Sequence, residues 1–357
     1  MANPNYTYEI NTGIVERIAA EFVQTEIEND PAFKILPLKA ENSAELRWTQ
    51  EDSDYGLAQW RGMNGEPGKV KRLGETTTVF EPGVYGETSE VDEQELTQRA
   101  QLGTNGAMPI DVQDLIGAID RQLIRRDIAR KTYNIWNALQ GTLTLSKPGA
   151  NGGTQQTFSY VVQTYTANPA FSNLSTGAPI QTFQAVQQLG VGRSLDLGAG
   201  ATAYCNQYTF NNILNNANAA DFGGRRDMYG ATLNNLMMVN NYWQSQNLPK
   251  FVISDNGYYP TQTSALNANV GPANFSKFIP NNKIIVVGRR TDGSPIGKYA
   301  MTRHVVGTPA SGDWRIVQDA FKGMNAPLQV PGYIRIGRGH NGGPVIHYSS
   351  AIVIISC

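Results

Sequence analysis

One stretch limits the possible folds more than any other: "PIDVQDLIGAIDRQLIRRDIARKTYNIWNALQG", residues 109–141. Val112, Ile116, Ile119, Leu123, Ile128, Ile135 and Leu139 keep to one broad face at helical spacing. Asp111 and Asp114 stand at the start, and Arg125, Arg126, Arg130 and Lys131 come later, an order that complements the helix dipole. Gly141 supplies the stop. The spacing predicts a helix about 45 Å long, more than a small domain needs.

The segments around it are of different character. "TGIVERIAAEFVQTEI" carries a stripe of Ile14, Val15, Ile18, Ala19, Phe22 and Val23, with Thr12 as N-cap and Pro31 as terminator. This helix has no evident local partner. Residues 46–95 have few large aliphatics and many charges. Their strand-like pieces "LRWTQ" and "TTTVFE" flank "RGMNGEPGKVKRLG", so the stretch reads as a long two-stranded excursion. A lone hairpin is marginal in water, and such an excursion makes sense only against another surface. After the long helix, "TLTLS" and "TFSYVVQTYT" read as strands. Helices and strands then alternate through "IQTFQAVQQLG", "ATAYCN", "YTFNNILNNAN", "TLNNLMMVNNYWQSQ" and "KFVIS". "FIPNNKIIVVGRR", "KYAMTRHVV", "GYIRIG" and "PVIHYSSAIVIIS" complete an α+β pattern with strands.

Enzyme motifs fail on their own mechanics. "GRGHNG", residues 337–342, spells GxGxxG and holds His340, one of 3 histidines. A dinucleotide loop needs a helix after the last glycine, to present its N-terminus to the pyrophosphate. Here Gly343, Pro344 and a β-branched run follow, with no acidic ribose partner. The expected role is a tight connection between two strands, its glycines at positive φ. His304 and His347 sit in strand patterns and are expected to be surface or satisfied histidines. "EDSD" at 51–54 lacks the spacing of a calcium loop. No GxSxG, HExxH or GxxxxGK[ST] occurs. The stripe Leu236, Met237, Met238, Val239 reads as core. No catalytic residue, cofactor or metal is expected.

Composition narrows the class further. The 357 residues suffice for a sizeable core without disulfides. The 2 cysteines, Cys205 and Cys357, belong to no ligand cluster, and Cys205 is expected to be a small buried hydrophobe. The start "MANPNYTYEI" is not a signal peptide, no run reaches membrane-span length, and the sequons at Asn5, Asn173 and Asn274 are expected to be accidental. A net charge of -1 gives no overall attraction for nucleic acid. The content of Gly, Asn and Tyr suits large neutral contact surfaces, and equally a secreted β-rich enzyme or adhesin.

The order of parts, with "TTTVFEPGVYGETSEVDEQEL", "ATAYCNQYTFNNILNN" and "KFVISDNGYY" paired with "FIPNNKIIVVG", resembles the major capsid proteins of tailed bacteriophages. These have the Hong Kong 97-type shell fold, and the local likeness is to the lambda-like capsid protein E group. Pro280, Asn281, Asn282 and Lys283 carry the last match, with Asn where Asp or Gly is commoner. The resemblance implies an N-terminal arm at 1–45 and an extended loop at 46–95. It implies a peripheral domain with the long helix and a hairpin at 96–174, an axial domain at 175–325, and C-terminal strands at 326–357 that return to the peripheral domain.

The implied function is self-assembly, through hexamers and pentamers, of an icosahedral head enclosing double-stranded DNA without sequence specificity. That places the chain in the virion after assembly in the host cytoplasm. A portal and a separate scaffolding protein are implied partners (or a product already trimmed), with room for a decoration protein and no membrane. Expected inter-subunit contacts are Ile14, Ile18 and Phe22 on the arm and Lys69, Lys71 and Arg72 on the loop. Some relatives join a loop lysine to a neighbour's asparagine. Lys69 or Lys71 and Asn325 or Asn341 would stand for that pair, but no Asp or Glu follows Asp319 to act as base; Asp313 and Asp319 remain open for that role. An encapsulin-like compartment shares the implied fold and is the alternative.

Overall fold

The computed structural model describes residues 22–41, 45–50, 76–81, 83–92, 112–147, 154–193, 195–216, 236–259, 275–302, 313–319 and 333–357, with positions 57, 63 and 66. The long helix is present as Val112–Leu139, 28 residues. It ends where Gly141 takes φ 87°, a left-handed conformation that a side chain would strain. The chain then enters the antiparallel hairpin of Thr142–Lys147 with Thr154–Ser159.

Two five-stranded sheets flank this helix in the fold. The first is organised around one strand, Tyr333–Ile346, 14 residues long. Gly83–Asp92 pairs antiparallel along one edge of it. Asp313–Asp319 and then Gly297–Thr302 pair antiparallel along the other, and Leu38–Glu41 adds in parallel to Gly297–Thr302. The second sheet has the order Lys250–Ile253, Thr202–Cys205, Lys283–Val287, Ile352–Ser356, Gln163–Thr166.

The helix joins the two. Its Ile124, Ile128, Ile135, Trp136 and Leu139 share one core with Tyr299, Met301, Val345 and Ile346 of the first sheet and Tyr204, Ile285 and Ile352 of the second. Trp136 meets Tyr204 edge-on, with ring centroids 5.4 Å apart. A second core lies under the helices Pro179–Gln188, Gln207–Leu214 and Leu236–Ser245, where Phe183, Phe210, Trp243 and Phe251 pack as edge-to-face aromatics.

Asn206 makes this arrangement specific. Its side-chain oxygen accepts from Thr209 N and Thr209 Oγ1, each at 2.8 Å, and so caps the helix Gln207–Leu214. Its amide nitrogen donates to Ile279 O at 3.1 Å and Asn281 Oδ1 at 2.7 Å, tying the cap to the "IPNNK" turn. Asn282 takes φ 58° there, which asparagine tolerates better than most residues.

Several expectations need correction. "GRGHNG" is not a connection between strands: it lies inside Tyr333–Ile346, and its glycines are absent from the positive-φ positions. Of the C-terminal strands, Tyr333–Ile346 anchors the first sheet and Ile352–Ser356 joins the second, between Lys283–Val287 and Gln163–Thr166. Within 46–95, the hairpin of Leu46–Gln50 with Thr76–Phe80 forms as read, but Gly83–Asp92 is a full member of the first sheet. The helical segment at 22–29 has a local partner, since Phe22, Val23 and Ile27 rest against the main core. Pro31 ends that segment by starting another helical turn, Pro31–Ile35, with Asp30 as N-cap. Of the stripe read as core at 236–239, Val239 is buried, Leu236 is half-buried and Met237 is exposed. Cys205 is buried as expected, and burial pushes its thiol pKa up.

Candidate functional site

The strand Tyr333–Ile346 alternates. Ile334, Ile336, Arg338 and His340 point to one face, and the face begins apolar and ends polar. The long helix carries the complement: Asp120, Asp127, Lys131 and Asn134 recur at intervals of seven, four and three residues, so they share one stripe. The two stripes meet in a buried ionic layer.

Asp120 is buried and accepts from Arg338, whose Nη2 lies 3.0 Å from its Oδ2. Arg315 Nη2 lies 3.2 Å from the same oxygen, so one carboxylate serves two guanidinium groups. Seven residues on, Asp127 Oδ1 lies 2.5 Å from His340 Nδ1, and Lys131 Nζ lies 2.9 Å from Asp127 and 2.8 Å from Asp313. His340 Nε2 is 2.9 Å from the Tyr299 hydroxyl, and that hydroxyl accepts from Asn134 Nδ2 at 3.3 Å. Burial pushes the Asp127 carboxyl pKa up, but the adjoining His340 and Lys131 outweigh it and hold the group well below the usual carboxylate range. Burial pulls the Lys131 pKa down, and Asp127 and Asp313 more than reverse this, so the ammonium stays charged. Burial raises the Tyr299 hydroxyl well above its ordinary value.

Carboxylate, imidazole and hydroxyl in a row have the connectivity of a proton relay. Here the relay is closed: His340 and Tyr299 are both 0% exposed, so no substrate reaches its reacting end. Lys131, one of the cations whose order complements the helix dipole, is 2% exposed. Among the described residues no group of three or more His, Cys, Asp or Glu could hold a metal ion, and no helix is long and apolar enough to cross a membrane.

The opposite face of the strand explains Gly337 and Gly339, across which the indole of Trp314 lies. A Cβ on Gly339 would stand 2.6 Å from Gly86 Cα and 2.6 Å from Trp314 Cζ2; Gly342, on the face of His340, would bring one to 2.5 Å from Ala300 O. "GRGHNG" is therefore a strand that admits close neighbours on its outer face while it presents Arg338 and His340 inward.

Of the residues expected to meet neighbouring subunits, Ile14, Ile18, Lys69, Lys71 and Arg72 lie outside the described residues. Phe22 is half-buried on its own chain, with the Arg125 guanidinium 5.1 Å from its ring centre. Sequence reasoning missed Asp120, Asp127 and Arg338. The available signal was a helical stripe of polar residues on the same side as Ile124 and Ala138.

No protein-family model matches the chain, and no curated protein matches it. Solved structures do. A phage-related protein from Bordetella bronchiseptica RB50 aligns over 98% of this chain and 97% of its own, at 8% identity and a TM-score of 0.53. A protein ascribed to the capsid of a prophage, from E. coli CFT073, aligns over 98% of this chain and 99% of its own, at 10% identity and a TM-score of 0.52. The described residues thus have the α+β fold of these phage-related proteins.

Proposed function

We propose that this chain is the major capsid protein of a tailed bacteriophage, assembling as hexamers and pentamers into an icosahedral head around double-stranded DNA. The observation that carries this is the two-way coverage of the E. coli prophage protein, 98% and 99%: the likeness is to a whole subunit, not to a shared module. Charge is compatible, since a net -1 allows DNA to be packed without tight phosphate neutralisation. Leu57 and Met63, at 97% and 101% exposure, are apolar side chains on the excursion between Leu46–Gln50 and Thr76–Phe80. Such exposure suits contact with an adjacent subunit.

On this reading the arm at 1–45 and the extended loop at 46–95 reach neighbours through the parts that do not pack on the chain's own core and first sheet, as Leu38–Glu41 and Gly83–Asp92 do. Ile14, Ile18 and Phe22 supply apolar contacts, and Lys69, Lys71 and Arg72 supply ionic ones. The closed relay at His340 does no chemistry and the protein is not an enzyme. The partners are further copies of the chain, packaged DNA, a portal and a scaffolding protein, and the site of action is the virion. Electron microscopy of the purified protein tests the reading. Closed shells holding nuclease-protected DNA are expected, a protein cargo in their place would indicate an encapsulin-like compartment, and a persistent monomer would overturn the proposal.

A further inference from the structure

The apolar part of the interface between the long helix and the first sheet nearly repeats itself. Ile119 and Leu123, Ile124 and Ile128, and Ile135 and Leu139 each stand one helical turn apart. At those three pairs a helix displaced along the sheet by one turn would again set aliphatic against aliphatic, although Trp136 would give way to Thr132 or Gln140. The ionic layer does not tolerate that move. A one-turn slip places either Ile116 or Ile124 opposite Arg338 in place of Asp120, and either Leu123 or Lys131 opposite His340 in place of Asp127. The first substitution takes the buried carboxylate away from the half-buried guanidinium groups of Arg338 and Arg315, and the second removes the carboxylate from His340 or sets an ammonium against it. An uncompensated buried charge is among the costliest defects a fold can hold.

We propose that the layer formed by Asp120, Asp127, Lys131, Arg315, Arg338 and His340 is a register lock, which selects one axial position of the long helix on the sheet rather than supplying net folding stability. Buried ion pairs replaced by apolar residues of similar volume often leave stability unchanged or raised, so the two roles can be separated. The proposal stands independently of the shell reading, as it concerns the single chain.

Its test uses the full chain with spin labels on Gln122→Cys and Thr88→Cys, both exposed, one on the helix and one on the strand Gly83–Asp92, in a Cys357→Ser background and diluted with unlabelled protein. The otherwise wild-type chain should show one narrow distance. The variant Asp120→Leu, Asp127→Leu, Lys131→Met, Arg315→Met, Arg338→Met, His340→Leu should keep its helical circular dichroism and its thermal midpoint. It should show a second distance, because the helix has moved along its axis by about 5 Å, one helical turn. A single narrow wild-type distance in that variant overturns the proposal. If it does not fold, the exchange Asp127→Lys with Lys131→Asp decides, because composition is unchanged while a carboxylate now waits one turn away from His340. A second distance supports the lock and a lone native distance refutes it. Failure of both variants to fold also refutes it, since the layer would then be a source of stability.

Discussion

Gly339 has the backbone of Gly86 on one side and the Trp314 indole on the other, and neither is the free end of a flexible side chain. Gly339→Ala is therefore expected to destabilise the chain by about 1–3 kcal/mol, as overpacking does. Gly117, on the long helix, has nothing within 4 Å of its would-be Cβ, and Gly117→Ala should stabilise by about 1 kcal/mol. Urea titrations of both variants would show the opposite signs. The ionic layer sets a pH window. The Asp127 pKa is depressed below its ordinary 3.8, so its contribution is present above that value and is lost as pH falls through the folded pKa. The Lys131 pKa is raised above 10.5, so its contribution is present below that value and is lost as pH rises past it. The gap in thermal midpoint between wild type and Asp127→Asn should thus be widest between about pH 4 and pH 10 and should shrink in acid. A gap that holds constant down to pH 2 would show that Asp127 is not ionised in the fold.

Caps and turns decide how the elements join. Asn206 does two tasks at once, as acceptor for the helix Gln207–Leu214 and as donor to the turn at Ile279–Asn281. Asn206→Ala removes a cap, typically about 1 kcal/mol, and leaves Ile279 O without that donor in a buried position, a further 1–3 kcal/mol or so. Asn206→Asp keeps the cap but cannot donate to the turn. It should recover only part of the loss, and chemical denaturation of the two variants compares them directly. Full recovery by aspartate would mean that the tie to the turn carries no energy.

For the whole molecule the predictions concern assembly. Deleting residues 1–21 removes Ile14 and Ile18 but spares Phe22, Val23 and Ile27, which pack on the main core. The shortened chain should keep its thermal midpoint and assemble poorly, and normal shells at equal yield would remove the arm from the list of contacts. Shells should also be free of covalent links. Asp313, one carboxylate left open as a base, is engaged by Lys131 at 2.8 Å. Asn341 lies within a paired strand opposite Val84, and no Asp or Glu follows Asp319. A lysine that is not deprotonated does not attack an amide. Particles boiled in detergent should run as one band near 39.0 kDa with or without reductant, and a ladder that survives reductant would contradict this.

The long helix, its stop at Gly141, the hairpin bases at 46–50 and 76–80 and most later strands were legible in the sequence, because each rests on local periodicity or on a residue with a special backbone preference. What the tertiary structure alone decided is non-local. "GRGHNG" looks like a turn until Gly86 and Trp314, from distant segments, are seen to lie against it; only then do its glycines mean close approach instead of positive φ. Lys131 reads as one of four cations complementing the helix dipole, and only the fold shows Asp127 and Asp313 closing around it. Gly83–Asp92 reads as loop because its side chains are mostly polar, yet its backbone is held by ten residues of pairing with a strand some 250 residues away in sequence. Local pattern reports which side chains want burial. It does not report which backbone or which opposite charge will meet them, since that depends on contacts between segments far apart in the chain.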